Sequence, residues 1–359
     1  MARRVVMPGK CRLLLDENAT VEQWLHARTQ GIGGSEVAAL VGESPYATSW
    51  DVWKAKVTDE GTMACLGEEP APGPKVRPEL LTDNRIFEVG HRAEQMVGLW
   101  TADRQGGIAR PAGGLYQSIE HPLAIVTPDR ILCRRRSWTP EALIECKTSG
   151  DPEPWDEDEA PLHYRIQAQW QMGVCGIKTC YLGCMVFNFD RDFFVVREDF
   201  DEEWYKELVA VAEKFWEEYV LTGELPEHDY AHPRTVEILK EQHPHVKFEA
   251  IQLPPDAEAW VFTYLQARDA VKAANEYLDE AKTWLGFHLG DAAAGYLGDD
   301  KVVSWPEIHQ HRISATLLRE KYPEVAKECT VESTHRRMTV KKPKQKNYTL
   351  HTGENNGEG

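Results

Sequence analysis

The chain has 359 residues, enough for two domains or for one domain with a large appendage. With 42% apolar and 28% charged residues, eight cysteines and no apolar run near the roughly 18 residues of a spanning helix, the composition excludes wholesale disorder, a disulfide scaffold and a membrane segment. The net charge of −17 argues against non-specific wrapping of nucleic acid, although a local basic groove is compatible with an acidic exterior.

In chain order, residues 20–57 read as a helix, a Gly-rich turn and a second helix. The stretch 64–85, with Pro70, Pro72, Gly73, Pro74 and Pro78, reads as a long surface loop of unassigned role. Residues 88–100 read as a helix, and 123–132 and 142–147 as strands separated by the basic turn Arg134-Arg135-Arg136. Six acids among prolines make 151–159 a solvated loop. A helix at 163–175 and a hairpin of strands at 179–188 and 193–197 follow. Trp204, Leu208, Val211, Phe215 and Tyr219 recur at helical spacing and predict a helix over 201–221 that forms core or subunit interface, stopped by Gly223.

A Pro/His-rich connector at 226–244 and a long helix over 256–289 complete the outline, with a mixed segment and a tail bearing Lys341, Lys342, Lys344 and Lys346. This predicts an α/β (α+β) core over 1–225, a connector over 226–250, a helical C-terminal extension over 251–345 and a disordered tail over 346–359. The N-terminal Arg3 and Arg4 are not followed by the apolar core of a signal peptide, so a cytoplasmic location with reduced thiols is expected.

Chemistry concentrates in Thr127-Pro128-Asp129 and Leu143-Ile144-Glu145-Cys146-Lys147. Side chains alternate along a strand, so Glu145 and Lys147 share one face. An acid and a lysine on an otherwise apolar strand are costly to bury unless something pairs them. Asp129, ending the preceding strand, can reach the same place, and two carboxylates suit a hard cation such as Mg²⁺. A buried Glu–Lys pair in a hairpin is the plainer alternative. Glu94, near the start of its helix, offers a third acid. Downstream, Gln167 and Gln171 are four apart and share a helix face, whereas Gln169 lies on another.

Four blocks together resemble the YqaJ-type, phage lambda exonuclease-like family within the PD-(D/E)XK nuclease superfamily. They are Arg28-Thr29-Gln30-Gly31-Ile32-Gly33-Gly34-Ser35-Glu36 with Ser44-Pro45-Tyr46, Gly90-x-x-x-Glu94, Thr127-Pro128-Asp129 with Glu145-x-Lys147, and Gln167-x-Gln169. The resemblance implies a mixed central sheet flanked by helices. It also implies a Mg²⁺-dependent exonuclease, with Mn²⁺ able to substitute, that acts 5′→3′ on double-stranded DNA ends and leaves 3′ single strands for recombination.

Residue by residue, the resemblance implies metal ligation by Asp129, Glu145 and the Cys146 backbone carbonyl, with Glu94 assisting. Lys147 would contact water or phosphate and Gln167 would position the nucleophile. Arg28, Ser35 and Thr127 would bind a terminal 5′-phosphate, with Gln169 also placed among the DNA-binding residues. Ser35 is also expected to cap the helix after the Gly33-Gly34 turn, leaving N–H groups for an anion. A homo-oligomer such as a ring-like trimer, and a single-strand annealing protein as partner, follow from the same likeness. Arg130 departs from the pattern, standing where a glycine is often found.

Cys175, Cys180 and Cys184 invite an iron–sulfur reading, but the last two fall inside a predicted strand rather than a loop able to wrap a cluster. They read as buried apolar residues. His228, His232, His243 and His245 read as part of a solvated linker. Two rival readings stand: an iron–sulfur or endonucleolytic nuclease of the same superfamily, and a catalytically silent DNA-binding module.

Overall fold

The computed structural model describes residues 5–57, 85–150, 155–156, 158–187, 193–243, 250–309, 311–331 and 338–341. The expected loop at 64–85 (but for Arg85), most of the acidic loop, the last three tail lysines and the final residues lie outside them. The chain divides into two compact units, Met1–Val246 and Lys247–Gly359.

The first unit opens with strand β1 (Cys11–Asp16) and three helices, α1 (Val21–Thr29), α2 (Gly34–Leu40) and α3 (Ser49–Lys56). Two helices, rather than three, are the sequence expectation here. Thr48 explains the extra start: its hydroxyl accepts the Asp51 N–H while the Asp51 carboxylate accepts the Thr48 N–H, a reciprocal cap. Helix α4 (Arg85–Arg104) then leads into β2 (Ile108–Pro111), β3 (Gly114–Ser118), β4 (Ile125–Val126), β5 (Arg130–Cys133) and β6 (Pro140–Ser149).

Helix α5 (Leu162–Cys175) crosses from β6 to β7 (Thr179–Val186), which pairs with β8 (Phe193–Asp199). Helix α6 (Glu202–Phe215) runs on into a π-helical turn, Trp216–Val220. The main sheet has the order β2-β5-β6-β7-β8 and is mixed: β6 and β7 are parallel, as a helical crossover permits, and the other pairs are antiparallel. A second sheet has the order β1-β3-β4. This is the mixed α/β architecture expected, and helix α5 is buried on opposite sides, with Ile166 and Trp170 on one and Ala168 and Met172 on the other, all within the core of the unit.

Three expectations need correction. The single strand expected over 123–132 is two strands in different sheets, β4 and β5, broken at Thr127-Pro128-Asp129. Pro128 has no N–H for a ladder, so the chain changes sheets there. The expected linker at 226–244 contains helix α7 (Pro233–Gln242), with Ile238 and Thr235 buried and Arg234 paired to Asp51 of α3 at 3.3 Å. His232 is its cap, accepting the Arg234 N–H, and Pro233 supplies the preset first residue. The compact first unit therefore runs past residue 225. Glu94, finally, sits in the middle of α4 rather than near a helix start.

The second unit contains a 33-residue helix, α8 (Ala257–Leu289), the hairpin β9 (Ala294–Leu297) and β10 (Asp300–Ser304), and two short helices, α9 (Ala315–Lys321) and α10 (Pro323–Glu328). Among the described residues no helix is long and apolar enough to cross a membrane.

Candidate active site

Strand β6 presents Glu145 and Lys147 on one face, with Leu182 and Cys184 of the parallel β7 beside them. Glu145 is buried, and every donor that holds it comes from a named side chain. Lys147 Nζ donates to Oε1 at 2.7 Å, Gln167 Nε2 donates to the same oxygen, and Gln171 Nε2 donates to Oε2 at 2.8 Å. Lys147 also donates to Gln167 Oε1 at 3.1 Å, and its ammonium lies 4.6 Å above the Tyr164 ring. Burial works against the charge on Lys147, but Glu145 and Asp129 hold its pKa above the usual lysine value.

Asp129 leaves the sheet-switching turn and accepts the Cys146 N–H at 2.8 Å through Oδ2. Burial and the neighbouring Glu145 push its carboxyl well above the usual range, with Glu94 adding to the rise and Lys147 opposing it. Glu94 forms an ion pair with Arg130 at 2.9 Å, so the residue that departs from the family pattern is the partner of the third acid. Burial and the Lys147 charge lower the His163 pKa to about 4, leaving a neutral imidazole beside the cluster.

The donor set tests whether a divalent cation fits. Burial and the Glu145 charge make Asp129 costly to ionise, and a hard cation relieves that cost through oxygen ligands. Among the described residues no three His, Cys, Asp or Glu side chains gather into a closed metal cage. Asp129 and Glu145 alone are the kind of pair Mg²⁺ accepts, because it keeps most of its waters. The residues fit such an ion.

Beside this cluster, Arg28, Ser35, Thr127, Gln167 and Gln171 line a pocket of about 50 Å³. Thr127 also lines a neighbouring cleft of about 470 Å³ with Glu94, Asp129, Arg130 and Trp24. The Gly33-Gly34 turn permits this convergence. A Cβ on Gly33 would stand 3.0 Å from Arg28 Nη2, and one on Gly34 would stand 3.0 Å from Gln167 Cγ. The cap of α2 is Gly33, whose N–H is accepted by Glu36 at 2.7 Å; Ser35 lies in the first turn and is exposed. Ser35 is therefore not the cap that the sequence predicts.

Arg28 stacks over Trp24 at 5.0 Å and pairs with Glu36 at 3.0 Å. Lys56, nearly inaccessible, donates to both Glu36 oxygens at 2.8 and 2.9 Å and to the Arg28 carbonyl at 2.7 Å. Burial opposes ionisation of Glu36, yet Arg28 and Lys56 hold its pKa below the usual value.

The structure thus brings together Arg28, Ser35, Thr127, Asp129, Glu145, Lys147 and Gln167, with Glu94 at the cleft wall. Gln169 is not among them. It points to the far side of α5, where its amide donates to Glu198 at 2.8 Å and to the Asp199 carbonyl at 2.8 Å while accepting the Asp201 N–H at 2.9 Å. Both of its N–H donors and its oxygen are engaged at the β8–α6 junction, which takes it away from the DNA-binding set. Sequence reasoning missed Glu36, Lys56 and Tyr164 as members of the site; the i, i+4 spacing to Gln167 was the signal for Gln171.

Residues 23–178 match the YqaJ-like viral recombinase domain. The uncharacterized protein YqaJ of Bacillus subtilis (strain 168) is 23% identical over 343 residues, covering 93% of this chain and 99% of its own. An alkaline exonuclease from Laribacter hongkongensis is 19% identical, matched over 61% of this chain and 100% of that one with a TM-score of 0.39. A phage-related exonuclease from Haemophilus somnus 129PT is 15% identical, over 54% and 96%, with a TM-score of 0.36. The segment that supplies Arg28, Asp129, Glu145, Lys147 and Gln167 therefore lies wholly within the match to the YqaJ-like viral recombinase domain.

Proposed function

We propose that this protein is a divalent-metal-dependent DNA exonuclease of the PD-(D/E)XK type, acting 5′→3′ on double-stranded ends and leaving 3′ single strands for phage-type recombination. The observation that carries the reading is the convergence of Asp129, Glu145, Lys147 and Gln167 beside a pocket lined by Arg28. A silent module has no use for a buried carboxylate pair with a lysine held charged next to it.

Asp129 and Glu145 would hold Mg²⁺ or Mn²⁺, with the Cys146 carbonyl as the expected third protein ligand. When bound, the ion supplies Lewis-acid activation of water and neutralisation of charge at the scissile phosphate. Lys147, whose charged form Glu145 and Asp129 favour, has an electrostatic role, stabilising charge that develops on the phosphate oxygens. Gln167 orients Lys147 and Glu145 at once and offers its amide to the attacking water. Arg28, Ser35 and Thr127 would seat a terminal 5′-phosphate and so select ends over internal sites. Duplex ends are the substrate, a single-strand annealing protein is the partner that would use the product, and a ring of subunits would keep the enzyme on its strand.

Linear duplex labelled at its ends, closed circular duplex, and reactions with Mg²⁺ or EDTA test the reading together. Mononucleotide release from linear DNA alone, lost in EDTA, is the expected result. Cutting of circles would make it an endonuclease, and no cutting under any divalent ion would return it to a binding module.

A further inference from the structure

The long helix α8 carries a heptad stripe that its own unit leaves uncovered. Tyr264, Val271, Leu278 and Leu285 recur every seven residues, and Ala267, Ala274 and Ala281 recur between them at alternating spacings of three and four. Three heptads in strict 3–4 alternation mark a seam for a second helix, since such a stripe follows one helix face only when two helices coil together. None of the α8 residues is buried: Val271 is 61% exposed and Leu278 is 51% exposed. The charged residues lie off the seam and pair among themselves, as Lys272 does with Glu276.

We propose that this stripe is a self-association surface, on which α8 of a second copy of this chain packs antiparallel. The choice of occupant follows from side-chain sizes. In a parallel pair like positions face each other, so layers of two large residues would alternate with gaps between two alanines. In an antiparallel pair the large positions of the middle of the stripe face the small ones. One register places Tyr264 against Ala281 of the second copy, Val271 against Ala274, Leu278 against Ala267, and Leu285 against Trp260.

The same register sets Ala270 beside Tyr277 and Arg268 beside Asn275, with no like charges opposed. Tyr264, Val271 and Leu278 thus each find an alanine on the same sequence read backwards, with Leu285 and Trp260 closing the ends, which is the self-complementarity of a two-fold interface. Trp260, Tyr277 and Trp284 are largely exposed and Tyr264 is 41% exposed, and rings that bury up to roughly 150–250 Å² each bring the stripe towards the ~800 Å² per partner of a stable association. The flanking acids Asp269, Glu276, Asp279 and Glu280 make a nucleic-acid backbone a poor occupant.

Sedimentation of the full chain over a range of concentrations tests the pairing. The wild-type chain should sediment above its 40.8 kDa monomer mass, and the Val271→Arg/Leu278→Arg double variant should show a twofold lower mass with unchanged helical circular dichroism. These positions are exposed, so the charges do not disturb a core. Orientation is read from disulfide trapping between two single variants, Ala267→Cys and Leu278→Cys, with the parent chain as background. The mixture should cross-link at least several-fold faster than either variant alone. A monomeric wild-type chain, or an unchanged mass in the double variant, overturns the proposal. Equal trapping of Ala267→Cys with itself overturns the antiparallel arrangement.

Discussion

The backbone N–H of Cys146 donates to Asp129 Oδ2 at 2.8 Å, tying the turn between the two sheets to the strand that carries Glu145 and Lys147. Because Cys146 lies between those two residues, its side chain points away while its N–H fixes the aspartate beside them. A turn that a proline forces out of one sheet is thereby locked against the centre of the other. The lock holds Asp129 beside Glu145, where Lys147 only partly offsets the neighbouring carboxylate, and the first prediction follows from it.

Asp129→Asn keeps the shape and still offers an oxygen to Cys146, but removes the repulsion with Glu145. The metal-free variant should be more stable than wild type, by on the order of 1 kcal/mol for each unit by which the carboxyl is raised. Saturating Mg²⁺ should stabilise wild type by about 2.7 kcal/mol at a hundred times its dissociation constant and the variant hardly at all. Thermal melts with and without Mg²⁺ check both halves. Equal metal-induced shifts in the two proteins would remove Asp129 from the metal site.

Lys147→Ala separates charge from coordination. Since the ammonium is paired to Glu145, which favours its charged form, its loss should lower the single-turnover rate by about 10²–10³-fold, as for other electrostatic deletions. Calorimetry should meanwhile find divalent-ion binding largely retained. A variant that cleaves at the wild-type rate would mean that the lysine is only a neutralising neighbour.

The two glutamines on opposite faces of α5 should behave differently. Gln169→Leu strands the Asp199 carbonyl and the Asp201 N–H and should cost about 1–3 kcal/mol for each buried group left unpaired. Its kcat/KM on DNA, measured below the melting range, should stay near wild type. Gln171→Leu takes the donor from Glu145 Oε2 and should weaken both metal binding and cleavage. If Gln169→Leu loses activity while remaining folded, its exclusion from the DNA-binding set is wrong.

These glutamines also mark how far the sequence could be read. Strand alternation puts Glu145 and Lys147 on one face and helical spacing puts Gln167 with Gln171, so the centre of the site was legible from local periodicity. That same spacing placed Gln169 on another face, and its assignment to DNA came from a motif rather than from geometry. Glu36 and Lys56 lie twenty residues apart on separate helices, and no local pattern announces a contact made only when α2 and α3 pack. Helix α7 was hidden by composition: prolines and histidines suggested a linker, although His232-Pro233 is a helix start and Ile238 is its buried anchor.

Glu36 should shape the acid side of the stability profile. Its folded pKa lies below the ordinary glutamate value because Arg28 and Lys56 outweigh burial. The unfolded chain therefore binds the proton more readily, and the contribution is present above the unfolded pKa and lost as pH falls through the folded one. Glu36→Gln should flatten that acid limb and lower stability at neutral pH, where Lys56 would be left buried without its anionic partner. Urea midpoints from pH 7 down to pH 3 would decide it. Parallel curves for the two proteins would show that the cluster contributes nothing through Glu36.

The last prediction concerns ends. Arg28 reaches the pocket with its guanidinium stacked on Trp24, and its pairing with Glu36 is shared with Lys56. Two cations on one carboxylate leave net positive charge at the pocket, so a phosphate can be bound without stripping Glu36 of its only partner. A terminal phosphate carries more charge than an internal diester and presents three oxygens, which Arg28 can grip in a bidentate fashion with the Ser35 and Thr127 hydroxyls adding donors. Wild type should therefore degrade 5′-phosphorylated duplex faster than 5′-hydroxyl duplex. At about 1.5–3 kcal/mol for hydrogen bonds to a charged group, the preference should be roughly tenfold to hundredfold. Arg28→Ala should bring the ratio close to one and shorten the tracts degraded per binding event, while calorimetry finds divalent-ion binding unchanged. If Arg28 only closes its helix and neutralises Glu36, both substrates will slow by the same factor. An unaltered phosphate preference in the variant would dismiss the pocket and leave the Asp129–Glu145 reading standing, because the two rest on different residues.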